Sequence, residues 1–352
     1  MTALTPARPV DPQAQARSRR RSVVVVVIVL VVVAALVAAL ALAADVTVRT
    51  RYDSRIERFD DPAATIPEAS RPEPVADGAA HTYLLLGSDS RVSAGDATQW
   101  QAGAQRTDAI MLVHLPADRS GLYVMSIPRD TWVDIPGHGE AKINAAFSYG
   151  GPALLVQTVE QLTGLRVDHV GVVDFEGFVA MTDALGGVEI TVPEDTQDMR
   201  ASFPAGTYTM DGARALDYVR QRYGLDEGDF DRVRRQQNWV RAVLRDAVSN
   251  DTLTDPLQLD AFLLATTSAV ALDSSFGVDQ LRDLAVQLRG IDSEDVQFLT
   301  VPTAGTGRSD DGQSIVLLDE PAAAGLWQAV RDGTVAQWVT TADADLLGDT
   351  VD

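Results

Sequence analysis

Residues 82–91 read TYLLLGSDSR, an apolar run that ends in a glycine and a charged exit. Two runs of the same kind follow, RTDAIMLVHL at 106–115 and GLYVMSIPRD at 121–130. Short apolar runs bounded by Gly, Asp and Pro fit strands buried on both faces. The turn Asp118-Arg119-Ser120-Gly121 is short enough to close the last two into a hairpin. Three strands that pair antiparallel in order alternate their ends between two edges of the sheet. The exit of the first, the entry of the second and the exit of the third then share one edge. That edge would carry Asp89, Arg91, Arg106, Asp108, Arg129 and Asp130. Any one of them is ordinary at a strand end, but their convergence on a rigid edge makes a candidate site.

Downstream, helices alternate with strands. A helix is expected at 153–162, opened by Gly150-Gly151-Pro152, and another at 175–185, stopped by Gly186-Gly187. Strands are expected at 167–173, 188–192, 206–210 and 296–301. Asp211 caps a helix to about Arg220, and a longer helix runs from about Asp231 to Val248. Others are expected near 256–267, 279–288 and 321–331. This order predicts an α/β fold, a three-layer α-β-α-like domain over 81–335 with a mixed central sheet.

The N-terminus predicts the compartment. Residues 1–22 form a basic tail of net charge +4. Residues 23–44 are an unbroken apolar run of 22 residues, which as a helix matches a hydrocarbon core of about 30 Å. Basic residues on its N-terminal side predict a single-pass span with the N-terminus cytoplasmic. Ala41-Leu42-Ala43 leaves a cleaved signal peptide as the competing reading, although the run is long for one. Residues 45–80 read as a stem and linker, and 336–352 as an acidic, disordered tail. The domain would lie outside the cytoplasm at the cell membrane.

Charge separates the partner classes. The chain has a formal net charge of −21, which argues against a nucleic-acid partner. Yet eight arginines stand between Arg214 and Arg245. Planar guanidinium forks suit bidentate binding of phosphate oxygens. The plain alternative is a solvated helix face, since the only lysine is Lys142 and arginine is the default cation. Arg232 and Gln236 share a helix face beside the apolar stripe Val233, Val240, Leu244 and Ala247. Arg234, Arg241 and Arg245 fall on the other side, and Arg220 and Arg222 would point the same way if the chain is extended there. There are no cysteines and four scattered histidines, so a metal would be a hard ion on carboxylates. Asp89 and Asp108 can hold Mg²⁺ (or Mn²⁺) beside a phosphate, or instead pair with Arg106 and Arg129.

The motifs LLLGSDSR (84–91), RTDAIMLVHL (106–115), SIPRDTWVDIPG (126–137), KINAAFSYGGP (142–152), VDFEGFVAMTDALGGV (173–188), and ALDYVRQR with DFDRVRRQQ (215–237) occur in this order. Together they resemble the LytR-CpsA-Psr enzymes, which attach glycopolymers to Gram-positive cell walls. The resemblance implies a phosphotransferase that moves glycan-1-phosphate from a polyprenyl pyrophosphate to a peptidoglycan hydroxyl. On that mapping Asp89 and Asp108 bind Mg²⁺. Arg106, Arg129, Arg220, Arg222, Arg232 and Gln236 hold the phosphates, with Asp89 or Asp130 as base. Arg91, Lys142 and Asn144 join as substrate-binding candidates. The prenyl tail would lie in an apolar tunnel whose candidate walls are the helices at 153–162 and 175–185. A membrane-tethered, non-catalytic receptor for polyprenyl phosphates is the alternative.

Overall fold

The computed structural model describes residues 50–74, 80–88, 107–221, 223–247, 255–288, 291, 293–342 and 344–348. The body treated below is Arg55–Asp352. The basic tail, the apolar run at 23–44, Asp89, Arg91, Arg106 and Arg222 lie outside the described residues. Among the described residues no helix is long and apolar enough to cross a membrane.

The chain order is β1 (Glu57–Phe59), β2 (His81–Ser88), β3 (Thr107–Leu115), β4 (Leu122–Ser126), β5 (Trp132–Ile135), β6 (Gly139–Lys142), α1 (Ile143–Thr163), β7 (His169–Asp174), α2 (Phe175–Ala184) and β8 (Val188–Val192). Then come β9 (Thr196–Gln197), β10 (Ser202–Phe203), β11 (Gly206–Met210), α3 (Gly212–Arg220), α4 (Asp229–Ala247), α5 (Pro256–Ala269), β12 (Val270–Asp273) and α6 (Val278–Gln287). The chain closes with β13 (Val296–Thr300), β14 (Thr303–Arg308), β15 (Ser314–Leu318), α7 (Glu320–Arg331) and α8 (Val335–Thr341).

A seven-stranded sheet in the order β1-β12-β7-β2-β3-β4-β13 forms the middle layer. Strands β2, β3 and β4 pair antiparallel in succession, as their sequences predict. The pairs β7 with β2 and β13 with β4 are parallel, so the sheet is mixed. Side chains alternate across it. Leu84, Leu86, Ile110, Leu112, Val170 and Val172 enter one core with Phe147, Leu155 and Val159 of α1 and Leu326, Trp327 and Val330 of α7. On the other face α2, α3, α4 and α5 gather a second core around Phe178, Met181, Tyr218 and Trp239. Gly177 lets α2 and α5 approach, because a Cβ there would meet the Ala269 carbonyl oxygen at 2.6 Å.

Two expectations need correction. The stem is not free over its described part: β1 pairs with β12, and Phe59 and Ile66 enter the first core. Arg71 there forms a buried pair with Glu160, 2.6 Å from Nη2 to Oε1. These partners are far away in sequence, so no local period announces them. The described part of the C-terminal tail also belongs to the body. Val335 and Val339 of α8 enter the core, Thr300 donates to the Asp345 carbonyl at 3.0 Å, and Leu347 donates to that of Phe298 at 2.9 Å. The helix expected at 153–162 is present as the second half of α1. Gly150 and Gly151 break its helical backbone, with Gly151 at φ 67, ψ −162, a region that excludes side chains. That half therefore opens after Gly150-Gly151 with Pro152 in its first turn, as its sequence predicts, and a first half from Ile143 precedes the kink.

Candidate active site

The second face of the sheet is not filled. A cavity of about 610 Å³ lies between the sheet and helices α2 to α5. Leu85, Gly87, Ala109, Met111 and Val173 form its floor, every one of them offset by one residue from those that fill the opposite core. Phe178 and Met181 of α2, Trp239, Val240 and Leu244 of α4, and Phe262 of α5 supply apolar walls. Phe178 and Trp239 stack with ring centroids 3.9 Å apart, and Trp239 Nε1 donates to Thr182 Oγ1 at 3.0 Å. An apolar lining with a few polar groups is the usual build of a ligand pocket.

The polar groups come from the expected positions. Asp108, Arg220, Arg232 and Gln236 all line the cavity. Asp108 enters near the start of β3, and Gln236 Nε2 donates to its backbone carbonyl at 3.4 Å. The Asp211 side chain caps α3 by accepting from the Arg214 amide at 2.8 Å, and α3 then ends on Arg220. Its guanidinium sits 4.2 Å from the Phe175 ring centroid, a cation–π contact that fixes it on the wall. Arg232 is almost fully buried, and its Nη2 lies 2.6 Å from Asp229 Oδ1. A buried guanidinium with a pre-set partner costs little further ordering when an anion arrives.

Arg129 reaches the same place from the exit of β4 and donates to the Asp108 carboxylate. The pairing alternative for that aspartate is therefore the arrangement seen. Arg129 Nε is buried and has no hydrogen-bond partner among the described residues. Asp130 is held by Lys142, 3.2 Å from Nζ to Oδ1, and lies 3.8 Å from Arg129 Nε. The Asn144 amide donates to the Arg129 carbonyl at 3.2 Å. Lys142, Asn144 and Asp130 thus brace the turn that carries Arg129, and the cavity lining does not include them. Among the described residues no group of three or more His, Asp or Glu side chains is placed to hold a metal.

The tunnel-wall expectation divides. Helix α2 does line the cavity, whereas Leu155, Val156 and Val159 of α1 are plain core on the opposite face. Arg245 takes the solvated position expected, whereas Arg234 is half-buried and paired with Glu227 and Asp231, and Arg241 bonds Asn238 at 2.8 Å. Sequence reasoning missed Phe175, Trp239, Arg200 and Tyr223, which also line the site. Their signal was weak: Val240 and Leu244 belong to the apolar stripe of α4, and a stripe facing a hollow reads like one facing a core.

The model of the LytR_cpsA_psr family matches residues 49–332. A relative from Corynebacterium glutamicum, "Probable cell wall biosynthesis protein LcpB", is 38% identical over 288 residues, 79% of this chain and 66% of its own length. A second from that organism, "Cell wall biosynthesis protein LcpA", is 35% identical over 69% of this chain and 54% of its own. The chain therefore spans less than two thirds of either relative. A structure described as "TagT bound to LI-WTA" shares the fold, with a TM-score of 0.56 and 23% identity over 81% of this chain and 96% of that one. With the motif order, the mixed sheet and this cavity in agreement, the chain belongs to the LytR-CpsA-Psr family.

Proposed function

We propose that the protein is a membrane-anchored phosphotransferase, which moves glycan-1-phosphate from a polyprenyl-pyrophosphate-linked cell-wall glycopolymer to a peptidoglycan hydroxyl. One observation carries the reading: an apolar cavity of about 610 Å³ ends in Asp108, Arg220, Arg232 and Gln236. Such a site matches a long hydrocarbon joined to an anion. TagT, which shares the fold, has been solved bound to LI-WTA, in keeping with a glycopolymer donor here.

In this reading the prenyl chain lies along Met111, Phe178, Met181 and Trp239, and the arginines take the pyrophosphate oxygens. The acceptor hydroxyl attacks the phosphorus that bears the glycan. The bond from that phosphorus to the bridging oxygen breaks, and polyprenyl phosphate leaves with the electron pair. The hydroxyl proton passes to a carboxylate, for which Asp89 is the candidate. Asp130 is less suited, being tied to Lys142 and away from the cavity lining. Arg220, Arg232 and Arg129 stabilise the charge that develops on the transferring group.

Mg²⁺ keeps several waters and needs only one or two protein carboxylates besides the phosphates. Asp108 at the cavity wall, with Asp89 following β2, fits that donor set. A bound ion would neutralise pyrophosphate charge.

The test incubates the full chain in nanodiscs with a lipid-linked glycan and a peptidoglycan oligomer, with Mg²⁺ or EDTA. Glycan transfer that needs Mg²⁺ and fails in Asp108→Asn is expected. Binding of donor with no transfer under any condition would instead establish the non-catalytic receptor.

A further inference from the structure

The polar end of the cavity is held from behind by an arginine that does not line it. Arg235 is fully buried on α4, one turn from Arg232. Its Nη1 donates to Gln221 Oε1 at 2.7 Å and its Nη2 to Thr196 Oγ1 at 3.0 Å. The guanidinium also lies 4.4 Å from the Tyr218 ring centroid. Thr196 Oγ1 donates to the same Gln221 oxygen at 3.2 Å, and Gln221 Nε2 donates to the Tyr223 carbonyl at 3.0 Å. One side chain therefore ties together α4, the exit of α3 and the start of the β9–β10 hairpin.

Each of those three segments delivers residues to the cavity. Helix α4 brings Arg232 and Gln236, the α3 exit brings Arg220 and Tyr223, and the hairpin brings Asp198, Met199 and Arg200. Gln221 is fully buried against Arg235, while Arg220 beside it faces the cavity. We infer that Arg235 is a positioning residue for the anion-binding end, which sets Arg220 and the 196–203 hairpin relative to Arg232 and Gln236. The inference rests on the cavity being a prenyl-pyrophosphate site. A lysine cannot replace it, because two diverging donors and a flat face against Tyr218 are used at once.

The test titrates the full chain with farnesyl pyrophosphate and with farnesol, which shares the tail and lacks the phosphates, read by tryptophan fluorescence. Arg235→Gln is expected to weaken the pyrophosphate by about tenfold or more while farnesol affinity stays within about twofold, and Arg235→Lys is expected to restore little of the loss. Arg220→Ala combined with Arg235→Gln is expected to lose clearly less than the product of the two single losses, since part of the Arg235 effect runs through Arg220. Equal loss of both probes, or additive losses, would overturn the positioning role. A second measurement is independent of any ligand: hydrogen exchange at 196–203 and at Gln221 and Tyr223 must be faster in Arg235→Gln than in Arg234→Gln. Equal exchange overturns the positioning, whereas a wild type that binds neither probe overturns the prenyl-pyrophosphate reading and leaves exchange to decide the positioning.

Discussion

The two faces of one sheet have been put to opposite uses. On the first, Leu84, Leu86, Ile110 and Leu112 meet α1, α7 and α8 in a closed core. On the second, Leu85, Gly87, Ala109 and Met111 stand one residue out of phase and border a cavity. The strands are the same, so the difference comes from what packs on them. Helices α2 to α5 close around the second face without filling it, and smaller residues, Gly87 and Ala109, help keep the floor low. A filled face supplies stability; a hollow one gives up contacts and gains room for a ligand.

The contrast can be broken most sharply at the polar end of the hollow face. Arg220→Ala is expected to lower glycan transfer by at least about 100-fold, as loss of a charge-stabilising donor does, with an unchanged thermal melt. On the filled face the largest effect is expected at Glu160, whose carboxylate takes Arg71 and also accepts from the Val167 amide at 2.9 Å. Glu160→Ala leaves that guanidinium buried and unpaired, and should cost about 3–5 kcal/mol in urea unfolding. A smaller loss would show that the segment around Arg71 can detach without disturbing the core.

Neighbouring residues on β3 give a direct test of the two faces. Leu112→Ala should cost about 2–5 kcal/mol of stability, since its cavity opens within packed core. Met111→Ala should cost less than half as much, because it already borders empty space, yet weaken binding of a prenyl probe. Equal costs would mean that the hollow collapses in solution. A pH-dependent effect is expected at His114, buried with Nδ1 3.0 Å from Thr82 Oγ1. Burial pushes its pKa down to about 4 from the ordinary 6.5. The unfolded chain binds this proton more readily, so stability is full above about pH 6.5 and falls as pH drops toward 4. The loss reaches at most about 3 kcal/mol and should vanish in His114→Gln when unfolding is followed at pH 7 and pH 4.5.

Much of this was legible in the chain itself. The antiparallel order of the strands beginning at Tyr83, Ala109 and Leu122 followed from short apolar runs and a tight turn, which are local signals. So did the meeting of Asp108, Arg129 and Asp130 at one edge, and the sharing of a face by Arg232 and Gln236. What stayed hidden depended on partners distant in sequence. Phe59, Arg71, Val339 and Leu347 look like linker and tail until their contacts with β12, Glu160, the core and Phe298 are made. Arg235 gave no sign of its burial, since an arginine beside another arginine has the same sequence pattern whether it faces water or Gln221.

Sequence alone therefore determined the α/β order, the family's motifs and the residue types of the proposed anion site, because periodicity, caps and turns are written in neighbouring residues. Tertiary structure alone decided which apolar faces became core and which became cavity. Packing depends on how closely non-adjacent helices approach the sheet, and no stretch of chain encodes that distance by itself.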